Sequence, residues 1–310
     1  MTDPTTPGPA AIAKVGQDGS DTDVAGLGRW KASAFVTPAL LLIAAFLVFP
    51  ALWLLWIGLT DLTVSGRTSV DVSFVGLDNY AKALRDPLFG NSVWITLLFV
   101  FGSAIVGQNV LGFTLAWSMR KAARWVRAMV ESLVLLAWIL PASVVAVLWI
   151  AMLDRDEGSA NRLLNSPGYA WMIQQPLAVI IVFNIWRGTA FSMLLYSAAL
   201  STVPPSHLET ARLAGSSGPQ TLRDVVFPSM RGHILTNTLL ISLWTFNDFT
   251  PYLLTRGEPN HRSETLPIFL YRQGIDDGAL GYGAAASVLM LLINLVLALF
   301  YLRLLRRRTS

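Results

Sequence analysis

The sequence predicts an all-α protein that crosses a membrane about six times. Hydrophobic residues make up 54% of the chain and charged residues only 14%, whereas a soluble domain carries about a quarter of charged residues. Apolar segments of ~20 residues, long enough to cross ~30 Å of hydrocarbon, recur along the chain. The short strands of alternating hydrophobicity that form a transmembrane barrel do not recur in this way. Helices are then the expected spans, because lipid cannot hydrogen-bond an exposed backbone.

The spans follow one another at regular intervals. The first, second, third and sixth are clear from their hydrophobicity, and the fourth and fifth contain more polar residues. The predicted spans are residues 33–59, 93–117, 129–152, 178–200, 232–254 and 283–305.

The termini are predicted to lie on the cytoplasmic side. Residues 1–30 are rich in Pro, Gly, Thr and Asp and lack the basic start and apolar stretch of a signal peptide, so they predict a disordered cytoplasmic tail. Residues 31–310 are predicted to form one six-span domain. Lys and Arg concentrate in the short loop 118–128 and at the C-terminus, which places these parts inside. The C-terminal arginines Arg306–Arg308 are expected to bind anionic lipid headgroups rather than nucleic acid.

Several kinds of chemistry are excluded. The chain has no cysteine, and His207, His233 and His261 do not stand at the spacing of metal ligands. The glycine-containing stretch GRTS at 66–69 lacks the lysine of a phosphate-binding loop. No catalytic cluster stands out. We therefore expect no catalytic residues, no metal and no cofactor, and any ATP hydrolysis must occur on another chain.

The cytoplasmic loop 201–231 is too long to be a simple connection and has helical patterning of its own. It predicts two short helices with a left-handed turn at Gly215 between them. A membrane-surface helical hairpin and a docking element for another protein both fit this pattern. The local signals are chain breaks at Pro204 and Pro205, a capping box at Ser206 and Glu209, a second cap at Ser216 and Ser217 followed by Pro219, and a break at Pro228.

The same loop resembles the EAA motif of binding-protein-dependent ABC importers, a Glu-Ala-Ala followed by Gly and then Ile-x-Leu-Pro. Thr210 replaces the middle Ala, and Ala214 stands where an acid is frequent. The stretch FVGLDNY at 74–80 resembles one that follows the first span of sugar permeases, and the likeness extends over residues 30–308. The residues that match the motif in spacing are Glu209, Thr210, Ala211, Gly215, Val225, Phe227 and Pro228.

This resemblance implies a type I (MetI-like) permease fold and a permease subunit of an ATP-binding-cassette importer, multi-pass in the plasma (cell inner) membrane. Such a subunit moves a sugar or sugar-like solute, in the lipid bilayer, together with a second permease, a cytoplasmic ATPase dimer and an extracytoplasmic solute-binding protein. The residues that the resemblance assigns to ATPase coupling are Glu209, Thr210, Ala211, Gly215 and Pro228.

Two charges fall well away from the ends of predicted spans. Arg187 in the fourth and Asp248 in the fifth each cost roughly 2.5–3.5 kcal/mol to insert, so neither should face lipid. Both lie in the outer half of the bilayer. They are expected to contact the solute, with an acidic solute favoured by Arg187, or to form an ion pair that only packs helices. As a third alternative, they form the proton or ion relay of a secondary transporter.

The neighbours of these charges favour solute contact. Helical spacing places Asn184, Arg187, Gly188 and Phe191 on one face, and Trp244, Thr245 and Asp248 on another. Aromatic rings stack on the C–H faces of a sugar, and amide, carboxylate and guanidinium groups bind its hydroxyls. Positions that match these residues line the sugar cavity in maltose-type permeases, although the Arg187 position is usually uncharged there. The predicted solute-binding residues are Asn184, Arg187, Gly188, Phe191, Trp244, Thr245 and Asp248.

Overall fold

The computed structural model describes residues 29–306, with side chains from Ser33 to Leu305. Within this range the regular structure is helical, apart from one antiparallel bridge between Thr60 and Phe74. The all-α class is therefore confirmed. The predicted disordered tail lies outside the described residues, except that Arg29 and Trp30 already belong to the first helix.

The first predicted span is a nearly continuous helix. Helix α1 (Arg29–Ile43) passes through the π-helical turn Ala44–Val48 into α2 (Phe49–Gly58). The described residues divide into two compact units, one that ends at Leu52 and a second that begins at Trp53. The packing and sites described below belong to that second unit.

An extracytoplasmic helix, α3 (Asp78–Arg85), follows the first span and contains the end of the FVGLDNY stretch. Asn79 of this stretch donates hydrogen bonds from Nδ2 to the backbone oxygens of Gly58 (3.1 Å) and Thr60 (2.7 Å). The motif thereby attaches α3 to the end of α2, where helix carbonyls have no intrahelical partner.

The second span is longer than predicted. Helix α4 (Pro87–Phe99), the π-helical segment Val100–Gln108 and α5 (Asn109–Met119) form one stretch of 33 residues. Asp86 caps its start, because its Oδ1 accepts a hydrogen bond from the Leu88 backbone N–H at 2.8 Å.

The third predicted span is broken, which corrects the expectation of one straight helix over 129–152. Helices α6 (Arg124–Ile139) and α7 (Ala142–Met152) meet at an angle of 102°. Leu140 between them is extended, with φ −58° and ψ 140°. The residue before a proline avoids the helical region, so Pro141 explains the position of the break.

The fourth span forms the centre of the second unit. Two short helices, α8 (Ser159–Leu163) and α9 (Trp171–Gln174), precede α10 (Pro176–Ser201). Helix α10 packs against α5, α6 and the fifth span. Glycines permit this close approach: a Cβ atom at Gly102 would lie 3.1 Å from the Ile181 side chain of α10.

The fifth predicted span, 232–254, is also interrupted. After α11 (Pro205–Leu213) and α12 (Gly218–Thr221), a π-helical turn leads into α13 (Phe227–Phe246). The chain then leaves the helix and resumes one in α14 (Pro251–Thr255). The unbroken helix expected here is wrong, and Asp248 lies in the break.

The last span follows a further outer helix, α15 (Leu266–Tyr271), and is α16 (Leu280–Arg306). Among the described helices, four are long and apolar enough to cross a membrane, or five if the bent α6–α7 pair is one span. The remaining predicted span corresponds to α13, which is helical but too polar to qualify. Three of its polar residues, Asn237, Ser242 and Thr245, are buried, whereas Arg231 and His233 near its start are exposed.

Candidate functional site

All of the predicted solute-binding residues line one small cavity. Its volume is about 40 Å³, and it lies between α10, α13 and the break after α13, with α6 on one side. Gln108 from the second span, Trp138 from α6 and Ile241 from α13 complete the lining. The complete lining is Gln108, Trp138, Asn184, Arg187, Gly188, Phe191, Ile241, Trp244, Thr245 and Asp248.

Asn184 organises the buried polar wall of the cavity. Its Nδ2 donates to the Ser103 hydroxyl at 2.7 Å and to the Thr245 hydroxyl at 3.3 Å. Gln108 in turn donates from Nε2 to the backbone oxygen of Asn184 at 3.0 Å. These side chains are almost fully buried. A satisfied buried network of this kind holds three spans in a defined arrangement.

The two intramembrane charges meet through a third residue. Arg187 Nη1 donates to the Thr250 hydroxyl at 3.1 Å, and that hydroxyl donates to Asp248 Oδ1 at 2.5 Å. The Thr250 backbone N–H also donates to Asp248 Oδ1, at 2.9 Å. Arg187 and Asp248 form no direct ion pair, so the ion pair considered from the sequence is replaced by a bridge through Thr250.

One donor in this group has no partner. The Nε atom of Arg187 is buried and makes no hydrogen bond within the described part of the chain. A buried donor left unpaired costs roughly 1–3 kcal/mol, and more when the group is charged. Arg187 itself is half-buried and lines the cavity.

Three of the lining residues form an aromatic cluster. Trp138 and Trp244 meet edge to face at 5.9 Å between ring centroids, and Phe191 contacts both rings at 6.3 and 6.0 Å. Trp244 remains 55% exposed. Its ring is therefore available for further contact.

The sequence predicted the lining on α10 and α13 but missed residues from elsewhere. Gln108 and Trp138 come from other spans, and Thr250 lies in a break that looked like helix interior. The proline at 251, which begins α14, was the available signal for that break. Gln108 ends a π-helical segment, and such segments are frequent at functional sites.

Loop 201–231 contains the second candidate site. Gly215 has φ +76°, as predicted for a left-handed stop. The Ser216 N–H donates to Ala211 O at 2.9 Å and the Gly215 N–H donates to Arg212 O at 3.0 Å. Together these two bonds form a Schellman motif, which closes the end of α11.

Other local predictions for this loop require correction. Helix α11 begins at Pro205, so Ser206 lies inside its first turn and makes no capping box with Glu209. The capping box occurs instead at Ser217 and Gln220, where α12 begins. Pro228 does not end a helix, because it lies in the first turn of α13, where its missing N–H is tolerated.

A larger cavity of about 860 Å³ lies elsewhere, between α7, α8 and the start of α10. Its walls are mainly apolar and include Trp149, Leu153 and Trp171. It offers few groups that could bind the hydroxyls of a polar solute. Among residues 29–306, no three His, Asp or Glu side chains converge as metal ligands.

The membrane-spanning helices, the polar cavity between them and the helical loop 201–231 fit one class: a transmembrane permease subunit that performs no catalysis itself. Residues 108–310 match the family described as "Binding-protein-dependent transport system inner membrane component", and the chain belongs to this family. It is a multi-pass inner-membrane protein that operates with an ATPase and a solute-binding protein. Family membership excludes the ion-coupled secondary transporter considered from the sequence.

Relatives cover nearly the whole chain. The chain is 25% identical to the sulfoquinovosyl glycerol transport system permease protein SmoG of Agrobacterium fabrum, over 90% of this chain and 92% of that protein. It is 28% identical to the sn-glycerol-3-phosphate transport system permease protein UgpA of Yersinia pseudotuberculosis, over 90% and 95%. A probable ABC transporter permease of Pyrococcus horikoshii is 30% identical, over 86% and 93%.

Solved structures confirm the fold. A bacterial alginate ABC transporter, in complex with its alginate pentasaccharide-bound periplasmic protein, superposes with a TM-score of 0.76 at 21% identity, over 91% of this chain and 96% of that one. The MetNI methionine ABC transporter gives a TM-score of 0.52 at 15% identity, over 74% and 98%. The type I importer fold expected from the sequence is therefore shown.

Proposed function

We propose that this permease moves a sugar or sugar-like solute and that the cavity between α10 and α13 is its contact site. The observation that carries the proposal is the convergence of every predicted binding residue on one cavity. The lining combines amide, guanidinium and carboxylate groups with aromatic rings, as binding of polyhydroxylated solutes requires. The names of SmoG, UgpA and the alginate transporter support this class of solute.

A second permease completes the site. A cavity of 40 Å³ is far below the roughly 300–1,000 Å³ of a typical ligand pocket. The half-exposed Trp244 indicates that the cavity is one wall of a larger pathway. We therefore place the solute between this chain and a similar permease, with the remaining contacts supplied by that partner.

The cytoplasmic loop couples the pathway to a dimer of ATPases. Helix α11 presents Leu213, which is 91% exposed, next to the Schellman turn at Gly215. An exposed leucine on a short, well-capped helix suits insertion into a cleft of a partner protein. In this proposal Glu209, Thr210 and Ala211 contact the ATPase, and Gly215 and Pro228 set the direction of the chain on either side. Glu209 is free for such contact because it makes no capping box.

The test is uptake of labelled sugars by the complete importer in proteoliposomes, with ATP inside and the solute-binding protein outside. Trp244→Ala should lower uptake about tenfold if ~1–2 kcal/mol of ring contact is lost. The control is Trp94→Ala, which removes an exposed tryptophan that does not line the cavity. Equal uptake by both variants, at equal amounts of assembled complex, would exclude the cavity as the contact site.

A further inference from the structure

Arg187 holds its guanidinium at the cavity by one hydrogen bond. The donor is Nη1 and the acceptor is the Thr250 hydroxyl. Since a guanidinium has five N–H donors and cannot lose its charge in a protein, most of its hydrogen-bonding capacity remains. The buried Nε is without a partner among the described residues. Nε is itself closed off from the cavity, so the Nη1 and Nη2 N–H groups that are not bonded to Thr250 are the donors that a ligand can reach.

Asp248 does not neutralise this cation by direct contact. Its Oδ1 accepts both the backbone N–H and the hydroxyl of Thr250. Because the single hydroxyl hydrogen of Thr250 points to Asp248, the hydroxyl oxygen is free to accept from Arg187. Asp248 thus acts as a positioning residue that orients Thr250, and Thr250 orients the guanidinium. Arg187 and Asp248 are the only charged residues in the lining.

We infer that the solute carries an acidic group, a carboxylate, phosphate or sulfonate, and that this group binds the Nη1 and Nη2 N–H groups of Arg187. The inference rests on the function proposed above and specifies its substrate class. A guanidinium binds such an oxyanion through two parallel N–H···O bonds, and these charge-assisted bonds are about twice as strong as neutral ones. A neutral hydroxyl offers a single weaker acceptor and leaves the partly buried cation without a counter-charge.

Matched solutes provide the test. The purified complete importer, in nanodiscs of neutral lipid, is titrated with glucose, glucuronate and glucose 6-phosphate. Fluorescence of Trp138 and Trp244 in the cavity wall reports binding without the solute-binding protein, and Trp138→Phe and Trp244→Phe variants assign the signal to the site. At least one acid should bind about tenfold or more tightly than glucose, as two charge-assisted bonds provide. Raised salt should weaken binding of the acid only.

Substitutions of Arg187 test whether its guanidinium causes the preference for an acidic solute over glucose. Arg187→Gln should remove the preference for the acid, whereas Arg187→Lys should keep part of it, because the charge remains but the two-bond geometry is lost. Arg162→Gln is the matched control, because this arginine is exposed and lies outside the cavity. Equal amounts of assembled complex for the wild type and every variant guard against misfolding.

The outcomes separate the two proposals. Equal affinity of the wild-type importer for glucose and both acids, or an acid preference that survives Arg187→Gln, would overturn the inference and leave the proposed sugar transport intact. If neither glucose nor the acids bind while a solute of another chemical class binds at this cavity, the proposed function itself is contradicted.

Discussion

Gln108 occupies the space that a side chain at Gly188 would need. A Cβ atom built on Gly188 would overlap the carbamoyl group of Gln108, which donates to the backbone oxygen of Asn184. The absence of a side chain at one residue of α10 therefore allows a polar group from another span to reach the cavity wall.

Gly188→Ala should displace the Gln108 amide and narrow the cavity. Because the displaced atoms are the far end of a flexible side chain, the cost should be limited to the lost hydrogen bond, about 0.5–1.5 kcal/mol. Uptake should fall severalfold while the complex still assembles. Gly232→Ala in α13 is the control, since a Cβ atom there meets nothing within 4 Å. A Gly188→Ala importer with wild-type uptake would show that this packing has no role in transport.

Gly215→Asp should uncouple transport from ATP hydrolysis without preventing membrane insertion. The residue has φ +76°, a conformation that costs a non-glycine residue about 1 kcal/mol or more. The Schellman turn should loosen and α11 should shift. Gly215→Val, which tolerates this conformation less well, should have the stronger effect. The measurement is uptake together with solute-stimulated ATPase activity.

Gly218→Ala is the control for the same loop, because this glycine starts α12 and has free space around its Cα atom. Gly215→Asp with full uptake would contradict a role for the turn in coupling.

Asn79→Asp should weaken the attachment of α3 to the end of α2. In the wild type, Asn79 Nδ2 donates to the backbone oxygens of Gly58 and Thr60. A carboxylate at residue 79 would place negative charge against both oxygens. We expect a loss of roughly 1–3 kcal/mol, visible as a lower midpoint of thermal unfolding in detergent. Asp78→Asn, one residue earlier, should leave the midpoint nearly unchanged. Equal midpoints for both variants would argue against this role of the FVGLDNY stretch.

A buried carboxyl in loop 255–282 should make the stability of the protein depend on pH. Glu264 is completely buried; Arg272 Nη1 lies 3.0 Å from its Oε1, and His261 contacts its Oε2. Burial raises the pKa of the Glu264 carboxyl, the nearby charges of Arg272 and His261 lower it, and Glu258 adds a smaller rise. On balance the pKa of Glu264 is raised. The folded protein therefore binds the proton of this carboxyl more tightly than the unfolded chain does.

The contribution of Glu264 to stability is therefore fully present below its unfolded pKa and is lost as pH rises through the folded pKa. As pH rises above about 4.3, the usual pKa of a glutamate, Glu264→Gln should flatten the fall in unfolding midpoint by a few degrees relative to the wild type. The control is Glu157→Gln, which changes an exposed carboxylate of another outer loop. Parallel pH profiles of the wild type and Glu264→Gln would contradict the upward shift.

The predictions that rested on spacing within one helix agree with the structure. Asn184, Arg187, Gly188 and Phe191 share one face of α10 and reach one cavity, because side chains three and four residues apart on a helix are neighbours. The end of α11 at Gly215 was also predicted from signals in neighbouring residues. These signals were a glycine that can adopt the left-handed backbone conformation and the loss of helical periodicity.

The predictions that depended on where helices begin and end were less accurate. Ser206 and Glu209 have the residue types of a capping box, yet α11 starts one residue before Ser206. The bend at Pro141 and the break after Phe246 interrupt apolar stretches that hydropathy alone treats as continuous.

The sequence by itself determined the class of the protein, because composition and the length of apolar stretches measure transfer from water to lipid residue by residue. It also determined which faces of α10 and α13 carry polar groups. Only the tertiary structure decided how the charges are partnered. Thr250 lies 63 residues from Arg187, and Gln108 lies 76 residues from Asn184. Contacts across such separations depend on how whole helices pack, and no local pattern encodes them.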